Sequence, residues 1–131
     1  MFHCKKIFFL TTLSLGACSL ARAGDLPARV GDCAKTAIKS VETRLVDEST
    51  NKPIPGSGSA VSFENGGYQV SYGTVPAIEH SKAGDPVRMC LVSIPKNCPK
   101  GDNRGRMYRT TNLRTHKTWT LRDSEHMCGG A

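Results

Sequence analysis

Most of the motifs that would announce an activity are missing from this sequence of 131 residues. No H-E-x-x-H, G-x-S-x-G, phosphate-binding loop or dinucleotide fingerprint occurs, so nothing indicates a zinc protease, an α/β-hydrolase or a nucleotide-dependent enzyme. No C-x2-C occurs, and a four-cysteine zinc site therefore lacks the closely spaced ligand pairs from which it is built. No apolar run is long enough to cross a bilayer, and no internal repeat is present. The length leaves room for a single domain. With 38% hydrophobic and 22% charged residues, the composition is neither disordered nor collagen-like.

What is present begins with an export signal over residues 1–23. His3, Lys5 and Lys6 form a basic start, and Ile7 to Ala17 is an uncharged, mostly apolar run of signal-peptide length. Ala21-Arg22-Ala23 meets the small-x-small rule for signal peptidase, which predicts a single β-rich exported domain over residues 24–131. The alternative is Leu15-Gly16-Ala17-Cys18, which resembles a bacterial lipobox. There Cys18 would carry the lipid, the only contact with a membrane that the sequence implies. The expected location is periplasmic or secreted, or in the alternative an outer-membrane lipoprotein.

Of six cysteines, Cys4 lies in the signal and Cys18 is removed or lipidated, leaving Cys33, Cys90, Cys98 and Cys128. An even set in a small exported domain predicts two disulfides. If Val87 to Ile94 is one extended strand rising about 3.3 Å per residue, Cys98 has little chain with which to return to Cys90. Reach therefore favours Cys33–Cys90 with Cys98–Cys128.

Strand signals dominate. Ser59–Phe63 and Tyr68–Tyr72 are short β-rich runs joined by Glu64-Asn65-Gly66-Gly67, a hairpin turn in which Asn and Gly supply positive φ. Val87–Ile94 is a second strand, entered through Gly84-Asp85-Pro86 and left through Pro95. Arg106–Thr111 and Lys117–Leu121 form a third signal, with Thr115-His116 near the turn. Cys33–Val46 reads as a strand with one bulge rather than a helix, and residues 47–58 as an exposed loop. The expected fold class is all-β, or β-rich with one short helix: a small disulfide-stapled antiparallel barrel or sandwich of five or six strands. Its expected core is Val61, Phe63, Val70, Tyr72, Val87, Leu91, Val92, Tyr108, Trp119 and Leu121. So small a core gains from its staples, at about 2–4 kcal/mol per disulfide.

Charge is segregated. Residues 24–95 carry 7 basic and 8 acidic side chains, whereas 96–131 carry 8 basic and 3 acidic ones. The loop Cys98 to Arg106 is the expected binding surface, within a segment 96–122 expected to make the contact, with Lys100, Arg104, Arg106, Arg109 and Arg114 as the contacting side chains. Arginines grip carboxylate or phosphate two-pronged, and glycine-rich turns expose backbone N–H groups. An acidic protein or an anionic envelope polymer is the expected partner. Nucleic acid ranks behind both.

Tyr108-Arg109-Thr110-Thr111 followed by Thr118-Trp119-Thr120 resembles the last hairpin of small secreted bacterial ribonucleases of the barnase type, whose basic site binds RNA phosphate. That resemblance implies a histidine two residues beyond the second threonine, where this chain has Leu113; His116 stands later. The corresponding alternative function is a small secreted hydrolase with His116 as general acid, Glu79 or Glu125 as base and Arg104 or Arg106 as phosphate clamp. A third alternative is periplasmic copper binding by the tail Asp123–Cys128 with Met89 or Met107. The leading expectation has no catalytic residue, metal or cofactor: a binding or inhibitory module of the cell envelope or secreted space that meets its partner through the basic C-terminal segment.

Overall fold

The chain closes a six-stranded antiparallel barrel because one long strand is shared between two sides of it. The computed structural model describes residues 24–130; the expected export signal, both expected cleavage sites and Cys18 lie outside the described residues. Strand β1 (Cys33–Thr43) pairs through its first half with β6 (Pro86–Ser93), from Cys33↔Cys90 to Ala37↔Pro86. Its second half pairs with β4 (Ser59–Phe63), from Ile38↔Phe63 to Thr43↔Ser59, and the register shifts between Ile38 and Ser40. A bulge at that point bends the strand, which lets one element turn a barrel corner. The expected strand with one bulge is thus borne out.

The hairpin of β4 with β5 (Tyr68–Ser71) also follows expectation, with Ala60 opposite Val70 and Ser62 opposite Tyr68. Only Gly66 takes positive φ in its turn, at +84°. Gly67 is needed for space: a Cβ there would lie 3.1 Å from Leu26 Cδ2 and 3.2 Å from Met89 Cε. Strands β6, β7 (Met107–Asn112) and β8 (Thr118–Arg122) form a second meander, and the strand order is β1-β4-β5-β8-β7-β6. The loop at 47–58 is exposed and carries a small ladder of its own, β2 (Val46–Asp47) with β3 (Lys52–Pro53). One helical turn, α1 (Pro76–Glu79), starts on a proline and delivers Ile78 to the core.

The core is built on Ile38, Val61, Phe63, Ile78, Val87, Met89, Leu91, Tyr108 and Trp119, and Val70 is buried as expected. Three expected members differ. Tyr72 is 59% exposed, since it lies beyond the end of β5. Val92 follows Leu91, and side chains alternate between the faces of a strand, so it is only half-buried. Leu121 packs against the core from its margin. Ile38, Ile78 and Met89 fill the space instead.

Two polar networks close what the apolar core leaves open. At the seam between β5 and β8 the only paired residues are Val70 and Arg122, and Gln69, fully buried, bridges the gap with its side chain. Its Nε2 donates to the carbonyls of Tyr108 (2.8 Å) and Leu121 (3.0 Å), and its Oε1 accepts from Thr110 Oγ1 (2.6 Å) and Trp119 Nε1 (2.9 Å). Every donor and acceptor of the amide is satisfied. The second network centres on the buried Asp85, which takes Arg114 two-pronged (2.6 and 2.9 Å) together with Asn112 Nδ2 and the Lys82 N–H. It ties the segment after α1 to the β7–β8 turn.

The two disulfides are Cys33–Cys90 and Cys98–Cys128, as reach favoured. Such bonds persist in an oxidising compartment outside the cytoplasm.

Candidate anion-binding face

Alternation along the strands sets which basic residues face water. In β6 the buried positions are Val87, Met89 and Leu91, so Arg88 and Cys90 point outward. In β7 Tyr108, Thr110 and Asn112 are buried, which turns Arg109 out, and in β1 Cys33 and Lys35 are exposed. The register stacks these residues in two rows. Lys35, Arg88, Thr111 and Thr118 form one; Cys33, Cys90, Arg109 and Thr120 form the other. Adjacent strands lie about 4.8 Å apart, and diagonal neighbours about 7–8 Å. Three cations from three neighbouring strands therefore share one outer face.

The Cys33–Cys90 bond runs across this face, and a dent of about 360 Å³ beside it is lined by Val30, Gly31, Cys33, Arg88, Cys90 and Arg109 among others. Thr111 and Thr118 share a hydrogen bond of 2.8 Å between their hydroxyls. Among the described residues, no carboxylate lies within ion-pair distance of Lys35, Arg88 or Arg109, and none of the three side chains makes a hydrogen bond.

The five sequence-predicted contact residues do not form one surface. Arg109 belongs to the strip just described, and Lys100 is exposed in the 98–106 loop. Arg104 donates two-pronged to Asp102 (3.0 and 2.9 Å) and also to the carbonyl of Gly130 (3.0 Å). Asp102 in turn accepts the Gly129 N–H at 2.9 Å, so loop and C-terminal segment are joined by ion pair as well as by the Cys98–Cys128 bond. Arg114 is engaged by Asp85. Arg106 is half-buried, and its Nε is buried without a hydrogen-bond partner. The expected display of glycine N–H groups is not found at Gly105, whose N–H is taken by Asp123 Oδ1 at 2.8 Å.

Electrostatics follow these contacts. Hydrogen bonds from Arg114, then from Asn112 and the Lys82 backbone, hold the Asp85 carboxyl well below the ordinary carboxylate range against the opposing effect of desolvation. Hydrogen bonds from Arg104 and from the Gly129 backbone do the same for Asp102. Both arginines are correspondingly raised by their partners.

The groups named for hydrolysis are spread out. Glu79 lines a groove of about 700 Å³ with Val41, Glu42 and Pro53, whereas Glu125 lines a different one. His116 lies exposed at positive φ in the β7–β8 turn and lines neither. For copper, Met89 is sealed in the core, and among the described residues no three His, Cys, Asp or Glu side chains cluster as ligands.

Sequence reasoning missed Lys35 and Arg88, although a signal was there. Once Cys33 is bonded to Cys90 across antiparallel strands, two residues forward on one strand face two residues back on the other, which sets Lys35 against Arg88. No protein-family model, no curated protein and no solved structure matches this chain.

Proposed function

We propose that the chain is a non-catalytic binding module of the cell envelope or secreted space that holds an anionic polymer across the outer face formed by Lys35, Arg88 and Arg109. The observation that carries this reading is the direct opposition of Lys35 and Arg88 with no carboxylate within ion-pair distance of either among the described residues. Like charges placed opposite one another on a sheet destabilise it. A local arrangement that works against folding marks a site kept for another purpose. Elsewhere in the same chain, arginines are given carboxylates at 2.6–2.9 Å. The cations are spread over three strands, which suits a chain of repeated phosphate, sulfate or carboxylate groups better than a single small ion. The threonine hydroxyls alongside add neutral donors. An exported, disulfide-bonded barrel meets such polymers in the periplasm or outside the cell, and a lipid on Cys18 would tether it to the outer membrane within reach of them.

The test is binding of the purified, oxidised protein to immobilised dextran sulfate, polyphosphate and polygalacturonate over a series of salt concentrations. Affinity is expected to fall as salt rises, because exposed charges are screened within about 10 Å at 0.1 M. Arg88→Glu/Arg109→Glu should abolish retention, while Lys100→Glu leaves it nearly unchanged. Retention that survives the double substitution would sink the proposal.

A further inference from the structure

Tyr72 is the most exposed aromatic ring among the described residues, yet it is held firmly. The Arg44 guanidinium stacks over it at 4.5 Å from the ring centroid, and its hydroxyl donates to the Glu125 carbonyl at 3.3 Å. Arg44 is fixed in its turn, with Nε donating to the Ser57 carbonyl at 2.6 Å and Nη1 to Glu125 Oε1 at 3.2 Å. The backbone beneath is equally constrained: Gly58 has φ +120°, and a Cβ there would lie 1.9 Å from the Ser71 carbonyl oxygen. A ring already fixed loses little further conformational entropy when a ligand stacks on it.

A groove of about 420 Å³ runs past this ring, lined among others by Tyr72, Met107, Leu121, Arg122, Glu125 and Met127. Arg44 does not line it, so the groove meets a part of the ring that the guanidinium leaves uncovered. The volume falls within the range of small-ligand sites, about 300–1,000 Å³. Two polar groups on its rim retain bonding capacity. Among the described residues, Glu125 gives Oε1 to Arg44 while Oε2 accepts nothing, and the Arg122 side chain donates Nη1 to the Gly105 carbonyl at 3.1 Å and makes no other hydrogen bond.

We propose that this groove is a carbohydrate subsite that takes one neutral hexopyranose residue. The apolar C–H face of the sugar lies on Tyr72, hydroxyl groups donate to Glu125 Oε2, and ring or hydroxyl oxygens accept from Arg122. A neutral ligand follows from the rim, where one carboxylate and one guanidinium oppose each other in charge: an anion would meet Glu125 and a cation would meet Arg122. A wholly apolar ligand would strip both groups of water and return no hydrogen bond. This site is independent of the basic face.

The experiment is saturation-transfer NMR on the oxidised protein with cellotriose, chitotriose and maltotriose as neutral probes and a trigalacturonate as the charged one. At least one neutral trisaccharide is expected to bind, with transfer to its ring protons and little to the charged probe. Tyr72→Ala should weaken that binding about tenfold, and Tyr72→Phe should keep most of it. Glu125→Gln preserves side-chain shape, is expected to weaken binding likewise, and serves where Tyr72→Ala does not fold. Arg88→Glu/Arg109→Glu should leave sugar binding unchanged, so this proposal and the anionic-polymer reading fail separately. Absence of binding by all three neutral probes, undiminished affinity in Tyr72→Ala, or equal binding of trigalacturonate would overturn it.

Discussion

The Asp85–Arg114 network and the strip of Lys35, Arg88 and Arg109 treat the same chemistry in opposite ways. At Asp85, each charge meets its complement and the surrounding polar atoms are answered. On the strip, cations face water and each other. A basic stretch of sequence is thus not a basic surface, because a bidentate carboxylate turns an arginine into a structural cross-link. What remains for a ligand is the subset of cations that folding leaves without partners.

The contrast breaks most severely if a closed network is opened. Gln69→Leu keeps roughly the volume of the side chain but strands Trp119 Nε1, the Thr110 hydroxyl and two carbonyls in the barrel. A loss of about 4 kcal/mol is expected, and a fall of roughly 15 °C or more in melting temperature by calorimetry. Dextran sulfate retention measured below the transition should be unaltered.

Next in size is the acid limb of stability. Asp85 and Asp102 have folded pKa values depressed below those of the unfolded chain. Their contribution is therefore complete above the ordinary carboxylate pKa and lost as pH falls through the folded value. Melting temperature should drop as pH is lowered from about 5 to about 2. Asp85→Asn should flatten that slope while starting from a lower plateau. A slope unchanged in Asp85→Asn would mean that other carboxylates drive it.

A smaller, local effect is expected at Arg104. Arg104→Ala removes the two-pronged bond to Asp102 and the bond to Gly130. Amide exchange at Gly129 and Gly130 should accelerate while the barrel amides stay protected. Equal acceleration throughout would show that the C-terminal cross-link supports the whole fold.

The smallest shift sharpens the comparison most. Lys35→Glu replaces a like-charge opposition with an ion pair to Arg88 and should stabilise the protein by about 0.5 kcal/mol. Binding to dextran sulfate should fall at the same time. Stability and retention moving in opposite directions would separate a ligand face from a merely solvated one; a fall in both would not fit the proposal.

Much of the scaffold was legible. The strand from Val87, the Asn65-Gly66 turn and the bulged strand from Cys33 all depend on neighbours a few residues apart. The disulfide pairing was legible through chain reach. The face holding Lys35 and Arg88 was half legible, since it follows from that pairing together with antiparallel register. Arg109 joins only through the β6–β7 register, where it sits opposite Cys90. Tyr72 was misassigned because a strand's last residue inherits burial from its alternation only while the ladder continues, and the ladder ends at Ser71.

By itself, then, the sequence determined the local geometry and the disulfide staples: backbone preference, side-chain alternation and the short reach of an extended chain act within a strand or a turn. Tertiary structure alone decided the closure of the barrel and the fate of its polar groups. Gln69 finds its partners at Tyr108, Thr110, Trp119 and Leu121, and Arg114 finds its carboxylate at Asp85. The Gln69 contacts exist only once β8 lies beside β5, and the Asp85–Arg114 pair only once β7 lies beside β6. Which arginines stay without a carboxylate, and which sides of Tyr72 stay open, are settled by these pairings of distant strands.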